Sequence, residues 1–287
     1  MLNKFIQYEY SKLTNQFISL KDVQKYYLPL IEFIENSKGK KILLSGSQGI
    51  GKTTFIQLLK KTFKTKFKKN IITISLDDFY LDKDQRIYLS NNVHPLLKTR
   101  GVPGTHDVYS LNRVIDDLNK EKFPINLPIF DKLKDRRVKK IKKIISKSDY
   151  IILEGWCLGC PPITKEYLFK NINNLEKLYD KKNIWRNYYN NQLKFNYKKL
   201  FNKFDSTIFF KSSSFKNVHN WRIRQEKFLK KRSFNKSLGM SDHEIEIFIQ
   251  HYEKITKWMI NNMHKKSNLI VEVNRNQKIT KINYIDK

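Results

Sequence analysis

The apolar run KILLS at 41–45 leads directly into the glycine-rich stretch GSQGIGKT at 46–53, and this junction restricts the fold more than any other feature of the chain. Gly46, Gly51, Lys52 and Thr53 satisfy G-x-x-x-x-G-K-[ST], a pattern whose mechanism needs a strand before it and a helix after it. Both flanks read that way. Glycines permit a tight bend in which successive backbone N–H groups point inward, and the positive N-terminal end of the following helix adds to the attraction for phosphate oxygens. Gly46, Ser47, Gln48, Gly49, Ile50, Gly51, Lys52, Thr53 and Thr54 therefore form the expected cradle of a nucleoside triphosphate, with Mg²⁺ as the expected metal. Lys52 is expected at the β- and γ-phosphates, and the Thr53 hydroxyl at the metal.

A strand that ends in such a loop belongs to a parallel sheet. Further apolar bursts at NIITISL (70–76), DYIILEG (149–155), STIFFKS (206–212) and NLIVEV (268–273) predict an α/β fold with at least five strands and helices on both faces. Among the helical patterns, Ser241 and Glu244 form a capping box, followed by one apolar stripe at Ile245, Phe248, Ile249, Tyr252 and Ile255. Residues 1–37 read as an N-terminal helical extension packed on the core. No repeat or low-complexity linker interrupts residues 38–287, which are expected to form a single domain. The basic run RRVKKIKKIISK at 136–147 reads first as a solvated helix face and second as a polyanion contact, and the aromatics of 173–201 read as helical packing residues.

A length of 287 residues with 40% hydrophobic content supplies a sizeable core. The formal charge of +30 raises nucleic acid as a partner. Yet Lys, Asn, Ile, Tyr and Phe are all abundant and alanine is absent, which points to a compositional bias toward lysine rather than one basic face. The opening MLNKFIQYEYSKLTNQF lacks the apolar stretch of a signal peptide, and no run of 18 apolar residues occurs, so a cytoplasmic protein without a membrane partner is expected. Cys157 and Cys160 are too few for a disulfide framework. Their WCLGCP setting resembles a redox motif in spelling only, since it ends a strand of the P-loop sheet rather than opening a thioredoxin-like unit.

A P-loop alone does not separate kinases from ATPases or GTPases, so the acids at the other strand ends decide. Asp77 and Asp78 follow the second strand in ISLDDFYL, where an open α/β sheet faces its ligand crevice. Adjacent carboxylates there are costly unless a metal or a hydroxyl substrate uses them. Glu154 ends the third strand, the place for an acid that holds Mg²⁺ or its water.

The set GSQGIGKT, LDDFYL, RGVPGTHD (100–107), LPIFDK (127–132), LEGWCLG (153–159), NWRIRQE (220–226) and GMSDHEIEIFIQHY (239–252) resembles D-glycerate 3-kinase of the plant and cyanobacterial type. That family stands in a wider group of P-loop kinases with uridine kinase, phosphoribulokinase and pantothenate kinase. The likeness runs in order from about residue 40 to 273. It implies a three-layer fold with strand order 2-3-1-4-5 and a small-molecule hydroxyl acceptor, D-glycerate, with uridine or pantothenate as the rival acceptors. In a photosynthetic cell that step would return glycolate-pathway carbon to sugar phosphates. The resemblance makes Asp77 the carboxylate toward the acceptor hydroxyl and a metal neighbour, and places Asp78, Tyr80, Arg100, His106, Asp107, Asp131 and Lys132 with the acceptor. Arg100 is the expected partner of the substrate carboxylate. It also implies a lid over about 212–240, where Arg222 and Arg224 close on the phosphoryl group. Arg224 departs from the family pattern, and Trp221, Arg224 and Phe228 share one helix face, so packing and phosphate contact both stand open for it. An ATP-dependent nucleic-acid-binding protein and an inactive nucleotide-binding regulator are the readings from other classes.

Overall fold

The computed structural model of the protein describes residues 1–232 and 241–285. Six strands form the main sheet: β1 (Lys41–Gly46), β2 (Ile71–Ser75), β3 (Tyr150–Gly155), β4 (Ser206–Ser212), β5 (Leu269–Val273) and β6 (Ile279–Tyr284). Their order is β2-β3-β1-β4-β5-β6. The first five are parallel, in the order 2-3-1-4-5 expected from the motifs, and β6 extends the sheet as an antiparallel edge. The sixth strand escapes a search for apolar bursts because ITKINY carries its charge on an open edge, where lysine discourages pairing with a further strand.

Alternation along the strands divides the core into two layers. Ile42 and Leu44 of β1 face a layer that includes Ile6, Tyr10, Tyr27 and Leu30 from the N-terminal residues, and Phe55, Leu58 and Leu59 from the helix after the P-loop. Leu43 faces the opposite layer, with Leu76, Leu111, Trp185, Tyr252 and Met259. The helices that matter below are α1 (Leu2–Thr14), α2 (Leu28–Glu35), α3 (Lys52–Thr62), α4 (Val108–Asn119), α5 (Ile184–Gln192), α6 (Phe215–Arg232) and α7 (Asp242–Asn262). The capping box read at Ser241 is formed, with the Glu244 side chain accepting from the Ser241 backbone at 2.7 Å. Among the described residues no helix is long and apolar enough to cross a membrane.

One local expectation is corrected. The basic run 136–147 is not a helix: Arg136–Arg137 pairs with Phe130–Asp131, and Lys142–Ile144 pairs with Ile125–Leu127, in two short antiparallel ribbons. Burial of Ile144 on one ribbon, and the hold that Arg137 takes on Tyr80 O (3.0 Å) and Asp82 Oδ1 (2.7 Å), outweigh the helical spacing. Of the aromatics of 173–201, Trp185, Tyr189 and Tyr197 are buried as packing residues, whereas Tyr179 and Phe195 are exposed. Residues 233–240 of the expected lid, with Gly239 and Met240 of its motif, lie outside the described residues.

Candidate active site

Strand register brings the candidate residues to one edge. Ser75 lies opposite Glu154, Leu44 opposite Glu154 and Gly46 opposite Phe210, so the P-loop, the Asp77 turn and Glu154 all leave the carboxyl ends of β1, β2 and β3 together. Gly51 caps α3 with φ +106°, and Gly49 has φ +75° with a Cβ there only 2.8 Å from Cβ of Trp221. Only glycine suits the second position, because the backbone is left-handed and α6 packs directly against it at Trp221. Lys52 is buried, and its Nζ donates to Gly46 O at 2.6 Å and Ser47 O at 3.1 Å. Burial lowers its pKa, against the opposing pull of Glu154 and Asp77.

A cavity of about 290 Å³ opens on this side of the loop. Gln48, Gly49, Lys52 and Thr53 form one wall, and Asp77, Tyr80, Arg100, Lys132, Glu154 and Arg222 face it from other elements. Asp77 Oδ2 accepts from Lys132 Nζ at 2.6 Å and Asp77 Oδ1 from Tyr80 OH at 3.0 Å. Burial alone raises a carboxyl pKa. Here the charge and hydrogen bond of Lys132 outweigh it and bring Asp77 down to about 2. Glu154 Oε1 accepts from Ser75 Oγ at 2.5 Å. Arg100 reaches Lys132 O at 3.1 Å, pairs with Asp135 and lies over the Phe130 ring.

Asp78, His106, Asp107 and Asp131 do not line the cavity. Asp78 turns the other way from its neighbour and accepts from Phe130 N at 3.4 Å, with burial raising its pKa. Asp131 folds back on Leu133 N and Lys134 N. Asp107 caps α4 by accepting from Ser110 N at 2.9 Å and pairs with Arg137. His106 is buried, stacks on Tyr80 at 4.4 Å between ring centroids and lies 2.6 Å from Tyr197 OH through Nδ1. It thereby braces the tyrosine that holds Asp77. Arg222 lies 5.3 Å from the Phe248 ring centroid and lines the cavity, whereas Arg224 is exposed and does not. Trp221 is buried and donates to Arg275 O, while the side chain of Phe228 lies outside those described.

Trp156, Phe248 and Tyr252 also line the cavity. Sequence reading placed Phe248 and Tyr252 on the buried stripe of α7, and only the fold shows that the stripe ends in the cavity wall. Tyr252 OH donates to Arg100 O at 2.9 Å, and Trp156 Nε1 to Gly101 O at 3.0 Å, so both pin the loop that carries Arg100. Gly101 has φ +137°, and a Cβ there would lie 2.0 Å from Tyr252 Oη, so this close approach also demands glycine.

Thr53, Asp77 and Glu154 supply a hydroxyl and two carboxylates on one cavity. The described residues hold no group of three or more His, Cys, Asp or Glu placed to bind a metal. That sparse oxygen set still fits Mg²⁺, which commonly takes one or two carboxylates and completes its shell with phosphate and water. Cys157 and Cys160 are buried and unpaired, and burial raises both thiols, the reverse of what a reactive thiolate requires.

No family model matches the chain. Over 243 residues it is 32% identical to the protein named "Uncharacterized kinase mug58" of Schizosaccharomyces pombe, covering 78% of this chain and 83% of the relative. With chloroplastic D-glycerate 3-kinase of Arabidopsis thaliana it shares 29% identity over 259 residues, 79% of this chain and 52% of the plant protein. The solved structure of D-glycerate 3-kinase from Cryptococcus neoformans superposes with a TM-score of 0.73 over 98% of this chain and 97% of that one, at 22% identity. That last likeness concerns the fold.

Proposed function

The chain belongs to the family of P-loop kinases that includes mug58 and D-glycerate 3-kinase, and on that footing we propose that it transfers the γ-phosphoryl group of ATP to the 3-hydroxyl of D-glycerate. One observation carries the choice of acceptor: a carboxylate and two cations, Asp77 with Arg100 and Lys132, share a cavity of about 290 Å³ with the P-loop lysine. A small hydroxy acid uses all three, its carboxylate facing a cation and its hydroxyl facing Asp77. An uncharged nucleoside would bring no anion to Arg100 and Lys132, which already pair with Asp135 and Asp77, and pantothenate is long for a space shared with the γ-phosphate.

In this reading the hydroxyl oxygen attacks the γ-phosphorus as the bond to the β-phosphate oxygen breaks, giving ADP and 3-phosphoglycerate. The transition state is loose, so the protein's work is positioning and charge stabilisation. Asp77, held near a pKa of 2, stays ionised at any working pH and orients the hydroxyl, receiving its proton only late. Lys52 and Arg222 meet the charge on the phosphoryl oxygens, and His106 and Tyr80 keep Asp77 in place. Thr53, Asp77 and Glu154 would hold Mg²⁺, which when bound would supply further neutralisation of that charge.

The test is ADP release with D-glycerate, uridine and pantothenate offered separately with Mg²⁺ and ATP. D-glycerate is expected to be turned over fastest. Uridine or pantothenate turned over far faster, or no turnover with any acceptor despite ATP binding, would overturn the reading.

A further inference from the structure

The turn KLKDRR at 132–137 sets one acid, Asp135, among four cations, yet its carboxylate does not stay with these neighbours. It reaches two arginines from other elements. Asp135 has φ +53°, a left-handed backbone that aspartate tolerates better than most side chains, and its carboxylate lies between Arg86 and Arg100. Arg86, on the helix Lys83–Asn92, is buried, with Nε donating to Leu81 O at 3.1 Å, Nη1 to Lys98 O at 2.6 Å and Nη2 to Asp135 Oδ2 at 2.7 Å. Each of its nitrogens has a protein acceptor, which makes it a fixed post. The other carboxylate oxygen, Oδ1, accepts from Arg100 Nη1, and Arg100 Nη2 donates to Lys132 O in the same turn at 3.1 Å. No spacing in the sequence marks this triad, since Asp135 lies 35 residues from Arg100 and 49 from Arg86.

Resting on the acceptor reading above, we propose that Asp135 is a positioning residue for the acceptor's carboxylate: anchored on buried Arg86, it fixes the guanidinium of Arg100 at the cavity wall. A long arginine stem has many rotamers, and a ligand that must first order it loses affinity. Asp135 orders it beforehand. The Phe130 ring, 5.7 Å from the guanidinium carbon, supports it as well. Two guanidiniums share one carboxylate, so the triad keeps one positive charge in excess, and Arg86 has its donors on backbone oxygens and on Asp135 inside the protein. The excess therefore acts at Arg100, the member of the three that lines the cavity. A guanidinium offers five N–H donors, more than the two contacts with the turn use, which leaves Arg100 able to meet an anion.

Asp135→Asn keeps the size of the side chain and suits the left-handed backbone while removing the charge. Because it leaves Arg86 buried without its partner, the double variant Arg86→Met with Asp135→Asn is tested beside it, which removes the pair together. In both variants the KM for D-glycerate is expected to rise about tenfold or more, with the KM for ATP within about twofold of wild type. The acid limb of kcat is expected to stay where Lys132 and Asp77 set it, whereas a turn that had merely come loose would carry Lys132 away and move that limb to higher pH. Added to Arg100→Ala, Asp135→Asn is expected to change the KM for D-glycerate by less than about twofold, since it acts through Arg100. An unchanged KM for D-glycerate in both variants, equal rises for D-glycerate and ATP, a moved acid limb, or a full further rise on top of Arg100→Ala overturns the proposal and leaves the acceptor reading standing. A wild-type protein that does not turn over D-glycerate, or turns over uridine or pantothenate far faster, overturns the acceptor reading, and this one with it.

Discussion

The two cavities beside the P-loop differ in the kind of side chain that builds them. The one at the strand ends gathers Lys52, Asp77, Arg100, Lys132, Glu154 and Arg222, while the other, of about 240 Å³ between the loop, the end of α1 and the β5–β6 hairpin, has no charged residue among the described ones that line it. The P-loop and the start of α3 separate them, so the two sides of one short segment offer different surroundings, one ionic and one neutral. In the function proposed above, the charged side is where phosphoryl transfer would take place, because ionic groups held in fixed positions stabilise developing charge without reorganising.

The sharpest way to break this contrast is on the charged side. Asp77→Asn keeps size and removes the carboxylate charge. The expected fall in kcat is about 10²–10⁴, the range for a positioned acid or base, with ATP affinity little changed. Wild-type turnover in that variant would remove Asp77 from the reaction. Lys52→Ala is expected to lose both ATP binding and turnover, by about 10²–10³ in rate, since a positioned charge donor is gone. Arg100→Ala is expected to raise the KM for the acid acceptor about tenfold or more, the loss of one hydrogen bond to a charged group, while the KM for ATP stays put. Equal effects on both would deny the loop its selective role.

Lys132→Met sharpens the contrast through pH. Lys132 is the group that depresses Asp77, and burial pulls the other way. Without the lysine, the Asp77 pKa rises and the acid limb of kcat moves to higher pH. An unmoved limb would show that the ion pair does not control Asp77.

The smallest effect concerns stability. Burial lowers His106 and His251 from 6.5 to about 4. Both are neutral in the fold, whereas the unfolded chain takes up a proton below 6.5. Their contribution is therefore complete above pH 6.5 and lost as pH falls from there through 4, about 3 kcal/mol for each group at the acid end. Urea unfolding at pH 7, 5.5 and 4 measures the slope, and His251→Gln is expected to flatten it.

Much of the charged side was legible in the chain. Lys52, Thr53, Asp77 and Glu154 sit at the ends of apolar runs, and in a parallel sheet those ends share one edge. Acidic neighbours were harder. Asp77 and Asp78 are alike in sequence, yet the single turn of 3₁₀-helix at Leu76–Phe79 sends one to the cavity and the other to Phe130 N. Asp107 and Asp131 looked like acceptor acids and serve as a helix cap and a turn, because a short carboxylate next to free backbone N–H groups takes the local bond first.

By itself, then, the amino-acid order determined the parallel sheet, the loop that bends after its first strand and the carboxylates at the strand ends, since these follow from periodicity and local backbone geometry. Tertiary structure alone decided which carboxylate meets Lys132, that Tyr252 and Phe248 reach the cavity from a helix over a hundred residues away from Arg100, and that α1 walls a neutral cavity on the far side of the loop. The physical reason is range: a turn or a cap is settled by neighbours a few residues apart, whereas a cavity exists only where surfaces from distant segments fail to meet.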